Sequence, residues 1–248
     1  MHEEIRSITP ADGTQSVLVK RPDGEGPFPV VVMFHDGPGV RPSTHEVARR
    51  VAEGGYLVAV PDRYYRREQF FHIEPEDLFA QGPDSEVFKD FFKLLMGTTD
   101  EMVSADLDAL LAHLDDDPAA KSSPMGVIGY CIGARSVLRA IAAHPGRFRA
   151  AVGLHPSFCA TEDADSPHLA VPSFAGEMYI GVGAEDKMQS PESCAPLGEA
   201  VVQLGDRGQY VIHPGADHGF AVPGSAYLPS AADPSYEAAL AIFSRQLA

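Results

Sequence analysis

Three residues of this chain have types and neighbours suited to covalent catalysis: Cys131, Asp186 and His218. Cys131 lies in Gly129-Tyr130-Cys131-Ile132-Gly133, a Gly-x-nucleophile-x-Gly pentapeptide after an apolar run and before a helical stretch. A sharp strand-to-helix turn lifts its central side chain above a sheet, and small flanking residues let the backbone pass. A thiol there faces the free N–H groups and positive dipole end of the following helix, which favours thiolate. The N–H of Ile132 would face an oxyanion formed on an attacked carbonyl. The same five residues also read as a small cysteine buried where strand and helix pack closely.

A nucleophile at such a turn calls for an acid and then a histidine, each beyond a later strand. Asp186 closes "MYIGVGAED", 55 residues after Cys131, and His218 follows 32 residues further on in "QYVIHPGADHGF". Glu185 and Asp217 compete for the acid role, and His213, His155 and His35 for the base. Taken singly, Asp186 reads equally as a helix cap and His218 as a surface histidine. His213 lies inside its strand before Pro214, which suits packing, whereas His35 and His155 end strands and are expected to line a pocket. The turn His35-Asp36-Gly37-Pro38-Gly39 after "VVMF" offers Gly37 as a second oxyanion donor.

The elements that must hold these residues alternate along the chain. Apolar runs at 15–20, 29–34, 56–60, 125–129, 149–154, 178–183 and 209–213 read as strands, mostly without internal polar residues, as strands buried on both faces should. Helical stretches separate them. One, from 43 to 53, opens on Ser43-x-x-Glu46 and stops at Gly54-Gly55. Another, 98–117, sets Met102, Ala105, Leu107, Leu110, Leu111 and Leu114 on one stripe. Further helices are read at 132–143, 191–204 and 234–248. The pattern predicts an α/β fold: a mostly parallel central sheet with helices on both faces, in one domain over 1–248. Residues 63–97 break the alternation and hold eight of the 21 Phe and Tyr residues together with Arg63, Arg66 and Arg67. That stretch reads either as a lid or pocket wall, or as an extra helix packed on the body.

Composition narrows the function. A formal charge of −16, with 19 Lys and Arg, argues against a nucleic-acid partner. No apolar run is long enough to span a membrane, and the opening "MHEEIRSITPADG" has no secretion-signal core, so a cytoplasmic location is expected. Cys131, Cys159 and Cys194 have no paired spacing, which fits a reducing compartment without disulfide or metal motifs. Neither G-x-G-x-x-G nor a phosphate-binding G-x-x-x-x-G-K-[ST] occurs, since Asp186 stands where Gly181-x-Gly183 would need its third glycine.

With the Gly129–Gly133 elbow, Asp186 in "GAEDKM", His218 in "ADHGF" and "PDRYYR" at 61–66, the chain resembles the dienelactone hydrolase family of the α/β-hydrolase superfamily along nearly its whole length. The resemblance implies an α/β-hydrolase fold and a catalytic Cys131-His218-Asp186 triad, with the oxyanion hole formed by the backbone of Ile132 and Gly37. It sets Asp36 where the family's namesake enzyme carries a glutamate near the cysteine. It also sets Val222 where that enzyme has an arginine that binds the substrate carboxylate, which points away from dienelactone itself. A pocket is expected from Asp36, His35, Tyr130, Arg63, Tyr64, His155, Phe220 and Val222. The expected activity is hydrolysis of a small ester or lactone through a cysteinyl thioester, without metal or organic cofactor, by a monomer or homodimer. Phosphotriester or thioester hydrolysis, or a non-catalytic binding scaffold, are the alternatives.

Overall fold

The computed structural model describes all 248 residues, Met1–Ala248. Eight strands form one sheet: β1 (His2–Ile8), β2 (Gln15–Arg21), β3 (Phe28–Phe34), β4 (Leu57–Pro61), β5 (Ala120–Tyr130), β6 (Phe148–Leu154), β7 (Glu177–Gly183) and β8 (Gly208–His213). Seven α-helices join them: α1 (Pro42–Ala52), α2 (Pro75–Phe79), α3 (Glu86–Gly97), α4 (Asp100–Asp115), α5 (Ile132–Ala143), α6 (Ala195–Val202) and α7 (Pro229–Leu247).

Strands that are apolar at every position need cover on both faces, and the central strands have it. Val30, Val32 and Phe34 of β3 enter the core beneath α4, α5 and α6, while Val31 and Met33 enter the core beneath α1 and α7. β4 divides its side chains in the same way, Leu57 and Ala59 to the first core, Val58 and Val60 to the second. The spatial order is β1-β2-β4-β3-β5-β6-β7-β8, with β1, β2 and β4 paired antiparallel and β4 to β8 joined as parallel neighbours. This is the α/β-hydrolase arrangement, and the strand order reverses at the β3–β5 pair. A crevice opens beyond the carboxyl ends of strands at such a reversal. The loop carrying Asp36 and Gly37 leaves β3 there, and Cys131 leaves β5.

Five elements differ from the sequence reading. β1 is a strand although "HEEIRSI" is charged, because it is the sheet edge and only alternate residues turn inward. β5 begins at Ala120, five residues before its apolar run, by pairing with the start of β3. In α4 the buried stripe is turned: Val103 and Asp106 are buried, while Ala105 is exposed. Asp106 is tolerated there because Arg66 forks onto it at 2.8 Å through both terminal nitrogens and the Tyr65 hydroxyl donates to it at 2.9 Å. α7 begins at Pro229 and carries Pro234 inside it, and α6 begins at Ala195 after a turn. No helix is long and apolar enough to cross a membrane.

Candidate active site

The backbone at Cys131 has φ 54° and ψ −120°, a region a side-chain-bearing residue enters only under constraint. The constraint comes from its neighbours. A Cβ at Gly129 would lie 2.2 Å from the carbonyl oxygen of Gly133, and one at Gly133 would lie 2.3 Å from that of Phe34. Both glycines are therefore required for α5 to start against the ends of β3 and β5. Cys131 N–H donates to Leu154 O at 3.0 Å, and its carbonyl accepts from Ala134 and Ser157. Ile132 is the first residue of α5, so its N–H has no intrahelical acceptor.

Asp186 and His218 extend from the ends of β7 and β8 and meet. His218 Nδ1 donates to Asp186 Oδ2 at 2.8 Å, and Asp186 Oδ1 accepts from the N–H groups of Met188 at 2.9 Å and Gln189 at 2.8 Å. The Asp186 side chain has no exposure. Of the rival acids, Glu185 is exposed, and Asp217 accepts from the backbone N–H of His218 and faces Lys187. His213 shares its Nε2 with the Tyr179 hydroxyl at 2.9 Å and the Ser235 hydroxyl at 3.0 Å, inside the core.

His218 Nε2 is buried and forms no hydrogen bond, whereas Cys131 Sγ lies 3.3 Å from Ser157 Oγ. The sulfur and the imidazole are nonetheless close enough to act on each other's charge. Burial opposes thiolate at Cys131, but His218 and the Ser157 hydroxyl outweigh it and hold the thiol below its ordinary pKa, against a small opposing effect of Asp36. Burial likewise opposes imidazolium at His218, and the sulfur charge and Asp186 overcome it, raising the pKa. The arrangement favours a thiolate–imidazolium pair.

The loop after β3 supplies the opposite wall. Tyr64 donates its hydroxyl to Gly37 O at 2.8 Å, which fixes the Gly37 peptide, and the Gly37 N–H is among no backbone pairs. Phe91 of α3 sits 3.1 Å from where a Gly37 Cβ would be. Asp36 is gripped by Arg41, Oδ1 to Nη1 at 2.6 Å and Oδ2 to Nη2 at 2.8 Å, with both side chains nearly inaccessible. The sequence reading missed Arg41, although an arginine five residues after a loop aspartate was the available signal. It also missed Ser157, for which "HPSF" gave none.

A cavity of about 430 Å³ joins these groups. Asp36, Gly37, Cys131, His155, His218 and Val222 line it, together with Leu78, Phe79, Phe91 and Leu95 from α2 and α3. Other expected pocket residues stand behind the wall. Tyr130 hydrogen-bonds Tyr236 at 3.1 Å in the core, and Phe220 packs against His155 and His213 with no exposure. His35 accepts from Arg63 N–H and bonds the Asp36 carbonyl, and burial drops its pKa to about 4, so it is a neutral brace of the loop. Arg63 reaches away to Ser136 and Thr98. His155 is fully buried, its ring edge-on to His218 at 5.1 Å between centroids, and burial followed by the charge of His218 keeps it neutral.

Comparison with known proteins agrees with this architecture. A Synechocystis protein provisionally named carboxymethylenebutenolidase is 26% identical over 200 residues, covering 80% of this chain and 78% of its own. A Bradyrhizobium protein provisionally named 2-oxo-3-(5-oxofuran-2-ylidene)propanoate lactonase is 24% identical, covering 81% and 76%. Among solved structures, a Klebsiella pneumoniae protein provisionally called a dienelactone hydrolase superposes with a TM-score of 0.80 at 23% identity, covering 98% of both chains. A dienelactone hydrolase-like promiscuous phosphotriesterase from metagenomic libraries gives 0.70 at 21% identity over the whole of both chains. The dienelactone hydrolase family model matches residues 16–247, and the chain belongs to that family of hydrolases.

Proposed function

We propose that this protein hydrolyses small, uncharged esters or lactones with Cys131 as nucleophile, His218 as acid–base and Asp186 as the carboxylate that orients it. The observation that carries the reading is the His218 Nδ1–Asp186 bond at 2.8 Å, with a free Nε2 turned into the same buried cavity as Cys131. The thiolate adds to the carbonyl carbon, a C–S bond forms, and the carbonyl electron pair moves to an oxygen facing the N–H groups of Ile132 and Gly37. Collapse breaks the C–O bond, and the departing alkoxide takes the Nε2 proton. Water then gives a proton to Nε2 and adds to the thioester, and the second collapse releases the acid and restores the thiolate.

The cavity wall supports the substrate class. Leu78, Phe79, Phe91, Leu95 and Val222 are apolar, Arg41 is consumed by Asp36, and Lys187 is a largely exposed cation at the rim. A carboxylate substrate would find no uncommitted guanidinium there. We read α2 and α3 as the wall that shapes this pocket. The likeness to the phosphotriesterase places a neutral phosphotriester beside esters in the assay, because the same oxyanion donors suit a phosphoryl oxygen. The test is kcat/KM for one diacid presented as a monoester with its second carboxyl either methylated or free, alongside a lactone and a phosphotriester. The neutral diester is expected to be preferred by about tenfold or more, and Cys131→Ala to lose turnover of every substrate. Preference for the free carboxylate, or turnover by Cys131→Ala, would overturn the reading.

A further inference from the structure

The turn after β6 binds the nucleophile residue at two points. Ser157 N–H donates to Cys131 O at 3.1 Å, and Ser157 Oγ lies 3.3 Å from Cys131 Sγ. The hydroxyl is inside the protein, with Ser157 only 2% exposed, and the sulfur is its one hydrogen-bond partner. The turn is held in an unfavourable shape to achieve this. His155 and Phe158, on either side, have φ 38° and 54°, and neither is glycine. Surrounding bonds maintain it: His155 N–H to Gly181 O at 2.8 Å, Phe158 N–H to Gln189 Oε1 at 3.2 Å, and Arg135 Nη1 to Phe158 O at 2.5 Å. Strained backbone that its surroundings over-determine marks a position where side-chain placement matters.

Ser157 therefore shares the sulfur with His218, and both favour the thiolate. The contact with the serine hydroxyl, at 3.3 Å, is the well-formed hydrogen bond of the sulfur. We infer that Ser157 is a positioning residue whose hydroxyl donates a hydrogen bond to the resting Cys131 thiolate, so that the thiolate does not depend on the imidazole of His218 alone and the Nε2 proton serves the departing alkoxide. With Ser157 as donor, the thiolate is stabilised by a group that does not titrate in the working range, and His218 keeps its proton for transfer.

The charged and titratable groups around the sulfur come from every neighbouring element. His218, from the β8–α7 loop, favours thiolate, and Asp36, from the loop after β3, opposes it. Arg63 and Tyr64, after β4, and Cys159, after β6, also feel the sulfur's charge, while His155 stays neutral. Ser157 is the uncharged member of the set, so its removal changes hydrogen bonding without changing the charge around Cys131.

The inference rests on Cys131 being the nucleophile, yet its test reads the thiol directly. The rate at which iodoacetamide labels Cys131, followed by peptide mass spectrometry across acidic and neutral pH, reports the thiolate fraction in the full-length protein. Ser157→Ala is expected to move the labelling midpoint up by about one pH unit, so that labelling below the midpoint slows about tenfold. Ser157→Thr, which restores a hydroxyl, is expected to return the midpoint toward wild type. An unchanged or lowered midpoint in Ser157→Ala, or the same upward shift in both variants, would overturn the inference, since the second result would show displaced backbone rather than a lost donor. Failure of the nucleophile reading is separate: it would appear as ester turnover in Cys131→Ala, whatever the labelling profile.

Discussion

Two regions of the molecule bury cysteine, and they give the sulfur opposite properties. At the head of α5, Cys131 is 9% exposed, and below it Cys159 and Cys194 are 3% and 4% exposed within the larger core. Burial disfavours thiolate at all three. At Cys159 the charge of Arg135 offsets little of it, and Cys194 next door adds to it, leaving the pKa well above that of a free thiol. Cys194 is pushed up to about 11 by burial, with Ser193 giving only a partial return. At Cys131 alone the balance is reversed, by the imidazole of His218 and the hydroxyl of Ser157. Burial by itself makes a thiol inert. The difference lies in which donors the fold brings to the sulfur, and a strained turn brings them to one sulfur out of three.

The sharpest way to break this contrast is to remove the histidine. His218→Ala is expected to lower kcat/KM by about 1,000-fold or more and to slow iodoacetamide labelling of Cys131 toward that of Cys159, as measured by ester turnover and peptide mapping. Asp186→Asn comes next, with a loss of about 100-fold or more, because an amide can leave the imidazole in the wrong tautomer. Its pH profile sharpens the point. The acidic limb of kcat/KM follows protonation of Cys131, whose pKa is lowered, and the basic limb follows loss of the His218 proton, whose pKa is raised. Activity should therefore extend below the ordinary thiol range and above the ordinary histidine range. Losing Asp186 removes a raising influence on His218, so the basic limb should retreat to lower pH.

Asp36→Asn separates charge from scaffold. It removes an influence that raises the Cys131 pKa, so the labelling midpoint should fall slightly, while the now unpaired Arg41 should cost about 3 kcal/mol in a urea unfolding titration. The smallest effect belongs to the other region. Cys159→Ala and Cys194→Ala should each leave kcat/KM within about twofold of wild type and cost about 1 kcal/mol of stability through lost packing.

Legibility followed burial. Strands apolar at every position, such as "PVVVMF" and "YLVAV", were readable because the sheet covers both their faces. β1 was not, since an edge strand with Glu3, Glu4 and Arg6 looks like a solvated segment until Lys20 and Asp117 are known to lie beside it. Asp106 in the α4 stripe was hidden for a similar reason: its partners, Tyr65 and Arg66, are some 40 residues away in the chain. At the site, the chain order of Cys131, Asp186 and His218 was legible because each sits just beyond a strand end, with its short motif intact. Ser157 was not, because its place depends on left-handed backbone at His155 and Phe158, residues whose types do not announce it. Arg41 likewise acquires meaning only through its fork onto Asp36.

The central claim, a covalent intermediate on Cys131, is tested most directly by acid-quenching the protein within the first turnover of p-nitrophenyl acetate and reading intact and peptide masses. One acetyl group per chain, carried by the peptide containing Cys131 and removed by hydroxylamine, is the predicted result. Unmodified protein under conditions of full turnover, or an acetyl group retained by Cys131→Ala on another residue, would contradict it.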